Sequence, residues 1–372
     1  MSFFSSIKGY LTFKNKIKFE NRKIIVIYSE SKNYRNYFIN IIESLGVEKK
    51  VALIYLTSDK KDLELFKNNI RPIFIGSGII RILLFTLLKC DMLIMTLTDL
   101  GNHEIKKSKN CKNYLYIFHS LVSTKKTYTH TAFQHYDIIF TNGEYQKKEL
   151  EINEKTYNFP KKRIFNIGYS YLEKLKQEKK DNIKNEKILF APSWTKSNKN
   201  IFNDYSKKII DLLLKKNLKL ILRTHPELIR RGNKTIKDLK KNYSNNENFE
   251  MNLDISNLDV LNQSYVLITD NGGMAVEYLI AQKKPVIFLN YAEKVHNKFY
   301  KEIPNDTIEE KFKKEFGFEI EINDLDQIDL KIKEAINSFE FKKNKIEKFA
   351  LDNEIILENQ TNATCNKILE LI

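Results

Sequence analysis

The sequence predicts an α/β protein of two doubly wound domains, and three observations carry that prediction. Short runs of β-branched and aromatic residues alternate with helical stretches, first over residues 23–167 and again over 188–322. A charged stretch over 174–186, KLKQEKKDNIKNE, separates the two blocks and offers little to a core. The chain has 372 residues, 42% of them apolar, which suffices for two cores of ordinary size. Strands that alternate with helices build parallel sheets with right-handed crossovers.

Each element has a local reason. Residues 1–20, MSFFSSIKGYLTFKNKIKFE, mix Phe3, Phe4, Ile7, Leu11 and Phe13 with Lys8, Lys14, Lys16 and Lys18. They read either as a helix packed on the first domain with its lysines in water or as a basic amphipathic helix on an anionic membrane surface. Gly9 weakens the helix and tilts the reading toward the packed one. Strands follow at Ile24–Tyr28, Val51–Leu56, Pro72–Ile75, Met92–Met95, Tyr114–Phe118, Ile138–Phe140 and Ile164–Ile167, with helices at Tyr34–Leu45, Ile79–Leu88 and Tyr145–Tyr157. The second block has strands at Ile188–Ala191, Leu218–Arg223, Phe249–Leu253, Val266–Thr269, Val286–Leu289 and Phe318–Ile322. Its helices fall around Ile209–Leu214, Leu258–Gln263, Met274–Ala281, 326–339 and 343–370. The expected division is a first domain over 1–175, a second over 187–342, and a C-terminal helix over 343–372 that crosses back onto the first.

Composition narrows the partners. Sixty-three Lys and Arg against 47 Asp and Glu give a net charge of +16, which favours polyanions, anionic lipid or phosphorylated small molecules. No RRM, KH or zinc-finger pattern accompanies the charge, so nucleic acid is not an expected partner. The three cysteines, Cys90, Cys111 and Cys365, are far apart in sequence and suggest buried thiols in a reducing cytoplasm rather than a disulfide framework. No secretory signal is visible. The apolar stretch from Gly78 to Leu97 is interrupted by Arg81, Lys89 and Asp91, and a buried helix followed by a buried strand explains it better than a membrane span.

Ligands of doubly wound sheets sit beyond the carboxyl ends of strands, and three polar clusters fall there. His119-Ser-Leu-Val-Ser-Thr-Lys125-Lys126 follows the strand at 114–118: a histidine able to take a proton near neutrality, then hydroxyls and lysines able to neutralise phosphate. Arg223-Thr224-His225-Pro226 closes another strand. There Pro226 keeps His225 extended and Arg223 can fork onto phosphate oxygens. Asp270-Asn271-Gly272-Gly273-Met274 lies between strand and helix, with Glu277 one turn on. Glycines there permit positive φ or close backbone approach, and helix-start amides suit a phosphate, with Glu277 placed for a ribose. The structural alternative is a tight turn with Asp270 as N-cap. Ser193 and Trp194, after the strand at 188–191, would line the same rim. His103, His130, His135 and His296 follow no comparable pattern, and His130 and His135 are spaced one residue too far for a one-turn metal pair. No P-loop, G-x-G-x-x-G or G-x-S-x-G occurs, which removes support from P-loop NTPases, the usual dinucleotide oxidoreductases and Ser-nucleophile hydrolases; no cofactor and no metal held by a dedicated protein cage are expected.

ILFAPSW (188–194), LILRTHP (220–226) and VLITDNGGMAVEYLIAQKKPVIF (266–288) resemble the CDP-glycerol glycerophosphotransferase family, which includes teichoic-acid primases and polymerases. That family has an APTW-like strand end, a strand ending in HP, and an ITDYSS…D segment before KP. IFHSLVSTKK (117–126) occupies the place of its WHG-type loop. The resemblance implies a GT-B fold, two facing Rossmann-like domains with a cleft between them, and transfer of a polyol phosphate from a CDP-linked donor to a hydroxyl. It implies His119 as the base on the acceptor, His225 at the donor phosphates and Asp270 in the donor segment. Lys125, Ser193, Arg223, Asn271, Gly272, Gly273, Met274 and Glu277 would complete the nucleotide and phosphate site. The family's Ser-Ser is here Gly272-Gly273 and its later Asp is Glu277, which also resembles the DSGG…E segment of UDP-sugar enzymes. The donor is therefore a CDP-polyol or a nucleotide sugar. The expected acceptor is a glycan or lipid-linked hydroxyl, and an anionic membrane surface is a further candidate partner. A GT-B glycosyltransferase for surface polysaccharide is the second reading, and a non-catalytic basic peripheral membrane protein the third.

Overall fold

A computed structural model describes residues 2–65, 70–180, 183–197, 199–254 and 256–372. In chain order the first elements are α1 (Ser2–Lys18), β1 (Lys23–Ser29), α2 (Ile39–Gly46), β2 (Val51–Thr57), β3 (Ile73–Phe74), α3 (Ile79–Leu87), β4 (Cys90–Met95) and β5 (Cys111–Ile117). Next come α4 (Thr124–Thr127), β6 (Ile138–Thr141), α5 (Glu144–Tyr157), β7 (Arg163–Asn166) and α6 (Tyr171–Gln177). The second block has β8 (Lys187–Phe190), α7 (Ile201–Lys215), β9 (Lys219–Arg223), α8 (Pro226–Arg230), α9 (Lys234–Tyr243), β10 (Phe249–Asn252), α10 (Asp259–Gln263) and β11 (Ser264–Thr269). It continues through α11 (Gly273–Gln282), β12 (Val286–Asn290), α12 (Ile308–Phe316), β13 (Phe318–Glu321), α13 (Ile328–Ser338), α14 (Glu340–Asp352) and α15 (Gln360–Leu371). The chain forms two compact units. The first comprises Met1–His119, His130–Tyr171 and Glu354–Ile372; the second comprises Ser120–Thr129 and Leu172–Asn353.

The first unit holds a seven-stranded parallel sheet in the order β3-β2-β1-β4-β5-β6-β7. Ile24 to Tyr28 are all buried, as expected of a strand covered on both faces. The core on one side joins Ile25, Ile27, Phe38, Ile42, Ile94 and Phe140 to Cys365 and Ile368 of α15, which packs against α2. The chain therefore returns to complete the first core. Helix α1 packs on α3 and β3, and a Cβ at Gly9 would overlap the Phe74 carbonyl. The residue that weakens this helix is the one that lets it sit down.

The second unit holds a six-stranded parallel sheet in the order β10-β9-β8-β11-β12-β13. In each sheet the strand order reverses once, between β1 and β4 and between β8 and β11. Such a reversal leaves a crevice at the carboxyl ends of the two strands that flank it.

Several expectations need correction. The helix expected over Tyr34–Leu45 is a 3₁₀ turn at Arg35–Tyr37 followed by α2. The stretch expected to be helical over 343–370 is two helices, broken where Glu354 and Asn359 take positive φ (51° and 52°). Of the charged stretch 174–186, residues 174–177 are helical, and 181–182 lie outside the described residues. Cys90 and Cys111, distant in sequence, are register partners on β4 and β5, with their sulfurs 3.4 Å apart; all three thiols are buried and free. The apolar stretch after Gly78 divides, as expected, into a helix and a strand, α3 and β4, and among the described residues no helix is long and apolar enough to cross a membrane.

Candidate functional site

In the second unit the reversal point brings the ends of β8 and β11 together. Ala191 N–H donates to the Ile268 carbonyl at 3.0 Å, and Thr269 Oγ1 donates to the Ala191 carbonyl at 2.6 Å. One residue on, Ser193 holds Asp270 with both its groups: N–H to Oδ1 at 2.8 Å and Oγ to Oδ2 at 2.7 Å. Asp270 is thus a clamp between two strand ends and does not cap the helix. The N-cap of α11 is Gly272, with φ −149° and no side-chain cap. No side chain caps the first amides of α11, although the Ala275 N–H donates to the Gly272 carbonyl at 3.0 Å, and a helix start without a side-chain cap suits a phosphate.

The two glycines serve space rather than unusual backbone. Neither has positive φ. A Cβ on Gly273 would overlap the Ser120 hydroxyl and press on Leu121 N and Val122 Cγ1, each 3.2 Å away. This glycine lets the loop after β5 lie against the start of α11. The same loop is stitched elsewhere to the second unit. Ser123 N–H donates to Glu309 Oε2 at 3.0 Å, and Asn297 Nδ2 donates to the Lys125 carbonyl at 3.0 Å. Lys126 Nζ reaches Glu310 at 2.6 Å and Glu293 at 2.5 Å. The buried ammonium of Lys125 donates to the carbonyls of Ile303, at 3.1 Å, and Asn305. The structure thus gives Lys125 a fastening role in this loop.

His225 lies two residues beyond β9 as the N-cap of α8, with φ −64° and ψ 137°, the extended conformation that a following proline favours. Its Nδ1 accepts the Glu227 N–H at 3.2 Å, which places the neutral ring's proton on Nε2. Trp194 stacks near this imidazole, centroids 6.2 Å apart and planes 26° apart, while the Arg231 guanidinium lies 5.0 Å over the indole. On another side of Trp194 stands His296, 5.7 Å away and edge-on. The main-chain N–H of His296 donates to the Lys126 carbonyl at 2.8 Å. Sequence pattern gave no role to His296; a fold-level contact with the sole tryptophan is what singles it out. Arg223 is buried at the end of β9, with Nη1 3.5 Å from the Asn257 carbonyl. Asn271, Met274 and Glu277 are half-buried around the start of α11.

In the first unit His119 follows β5 and is ringed by tyrosines. Tyr34 and Tyr37 lie with centroids 5.2 and 5.8 Å from the imidazole, and Tyr37 packs on Tyr169 and Tyr171. Tyr169 Oη donates to the His119 carbonyl at 3.4 Å. The Nδ1 atom is buried with no hydrogen-bond partner among the described residues, and burial pushes the imidazole pKa down to about 4. The ring is neutral at pH 7 and able to accept a proton. The tyrosine cluster is invisible in sequence because its members come from two stretches, 34–37 and 169–171, both far from His119 along the chain. His130 packs on Tyr157, and no group of acidic, His and Cys side chains that could hold a metal occurs among the described residues.

Comparison with known proteins fits this geometry. Residues 11–347 match the CDP-glycerol:poly(glycerophosphate) glycerophosphotransferase family. No curated protein sequence matches. Among solved structures, the wall teichoic acid polymerase TagF superposes with a TM-score of 0.60 at 15% identity, over 99% of this chain and 97% of that one. UDP-GlcNAc 2-epimerase from Methanocaldococcus jannaschii, in complex with UDP-GlcNAc and UDP, gives 0.61 at 14% identity, over 94% and 99%. S. aureus MnaA with UDP gives 0.63 at 15% identity, over 94% and 98%. At these identities the superpositions speak for the GT-B fold, and the family match speaks for the chemistry. The chain belongs to the CDP-glycerol:poly(glycerophosphate) glycerophosphotransferase family and is a GT-B transferase of that type.

Proposed function

We propose that this transferase moves glycerol phosphate, or a related polyol phosphate, from a CDP-activated donor to a hydroxyl of a glycan or lipid-linked acceptor in cell-surface polymer synthesis. The observation that carries the reading is the Ser193–Asp270 clamp beside the uncapped start of α11, at the reversal point of the second sheet. His119, neutral by burial, takes the proton from the acceptor hydroxyl. The acceptor oxygen attacks the β-phosphorus, the bond to the bridging oxygen breaks, and CMP leaves with that electron pair. His225 and Arg223 meet the charge that gathers on the phosphoryl oxygens, and Asn271 to Met274 with Glu277 hold the nucleotide. The test is release of CMP from CDP-glycerol or another CDP-polyol. The Gly272-Gly273 turn favours a second donor class, the nucleotide sugars. Turnover of a UDP-sugar with no CMP from any CDP-polyol would replace the first reading with that one.

A lipid-linked acceptor calls for attachment at a membrane, and the first unit has a surface suited to it. Phe3 and Phe4 of α1 are 53% and 77% exposed, and Ile79 and Leu87 of α3 are 68% and 51% exposed. The two helices share one cavity wall, where Phe3 and Ser6 face Ile79 and Ile80. Helix α1 carries Lys8, Lys14, Lys16 and Lys18 and no acidic residue. Apolar tips among lysines match an anionic lipid surface.

A further inference from the structure

Lys294 lies four residues beyond β12 and stands out electrostatically. It lines a cavity of about 20 Å³ in the second unit, together with Lys126, Thr127, Asn271, Glu293, Thr307 and Glu309. The surroundings desolvate the amine enough to lower its pKa, an effect that the charges of Asp270 and Glu309 oppose. Among the described residues no side chain or carbonyl gives Lys294 a hydrogen bond or ion pair. The carboxylates nearby are otherwise engaged: Asp270 by Ser193, Glu309 by the Ser123 N–H, and Glu293 by Lys126. A half-buried cation with no anion of its own is costly, and proteins retain one chiefly where a ligand supplies the missing anion.

Resting on the donor reading above, we propose that Lys294 is a phosphoryl-binding residue of the donor site, contacting one oxygen of the diphosphate held at the turn before α11. The placement follows from the cavity wall, which Lys294 shares with Asn271, the residue before the uncapped N-terminus of α11. Two independent sources of positive potential thus meet at one turn, an ammonium and a helix start. The volume fixes the scale of the contact. About 20 Å³ admits one water-sized group, so a single phosphoryl oxygen enters while the rest of the diphosphate stays outside. Lysine suits such a contact as a point charge that needs no planar partner.

The experiment is calorimetric titration of the full chain with CDP-glycerol, inorganic pyrophosphate and cytidine, for wild type, Lys294→Met and Lys294→Arg. Lys294→Met should weaken CDP-glycerol and pyrophosphate at least about 10-fold, as loss of a charged contact does, and leave cytidine unchanged. Lys294→Arg should recover part of the loss. The slope of log K against log salt for pyrophosphate should fall in the Met variant. Without ligand, the Met variant should melt at or above the wild-type temperature, because an unpaired, half-buried charge has gone. Pyrophosphate carries neither cytosine nor glycerol, so Lys294-dependent pyrophosphate binding upholds the proposal even if CDP-glycerol is not the donor. CDP-glycerol and pyrophosphate binding that the Met substitution leaves unchanged overturns it while the donor reading stands. So does a lowered melting temperature with unchanged pyrophosphate affinity, which would make Lys294 a structural counter-charge to Asp270 and Glu309.

Discussion

His119 enters the proposed reaction already neutral, and its environment explains why. Burial beside Tyr34 and Tyr37 holds its pKa near 4, below the ordinary histidine value. The unfolded chain binds this proton more readily than the folded one between about pH 6.5 and 4, so the group's contribution to stability is full above pH 6.5 and fades as pH falls. At pH 5 the loss should be about 2 kcal/mol, and His119→Asn should remove that component of the pH dependence in urea unfolding at pH 7 and pH 5. The acid limb of kcat/KM should likewise lie below pH 6. In the proposed roles of proton acceptor and phosphate neighbour, His119 and His225 replaced by Asn should each cut CMP release at least ~100-fold with the fold retained by circular dichroism. Both histidines stood out in sequence because each follows a buried strand. Lys294 and His296 did not, since their significance comes from the cavity and the tryptophan that the fold brings to them.

Among the elements, the strand–turn–helix unit of β11 and α11 was legible in nearly full detail, because apolar runs and a Gly-Gly break mark its limits. What the glycines do there was not legible, because it depends on a loop from elsewhere in the chain. Gly273→Ala should cost about 1–3 kcal/mol by overpacking against Ser120, and Ser120→Ala should relieve part of that cost in a double-mutant cycle. Additive effects in denaturant titration would show that the loop and the helix do not meet as described. Helices α1 and α3 carry a second prediction. Phe3→Glu with Phe4→Glu should abolish co-sedimentation with vesicles containing anionic lipid and leave the melting temperature within about 2 °C, because both side chains face solvent. Binding that survives the double substitution would reject this surface. The break between α14 and α15 escaped the sequence because Glu354 and Asn359 take left-handed conformations that no glycine announces.

On the scale of the whole molecule, the chain completes each unit from separated segments. The last nineteen or so residues close the first core, where Ile355 and Ile368 are fully buried. Ile368→Ala should therefore lower the unfolding transition of the first unit by about 2–4 kcal/mol and leave that of the second in place, as read by urea titration with probes in each. Two doubly wound sheets were foreseeable from alternation alone, and the strand orders agree with it. The segment 120–129 was not foreseeable as part of the second unit, since its fastening depends on Glu309, Glu310 and Asn297 far along the chain. The central claim concerns chemistry: a hydroxyl attacks the β-phosphorus of a CDP-activated polyol. The most direct measurement is the nucleotide released when the full chain is incubated with CDP-glycerol and a glycerol-phosphate-primed acceptor. CMP is expected in equal amount to the phosphodiester formed, and its release is expected to be lost with His119→Asn. Absence of CMP with every CDP-polyol, beside release of UDP from a nucleotide sugar, would contradict the central claim.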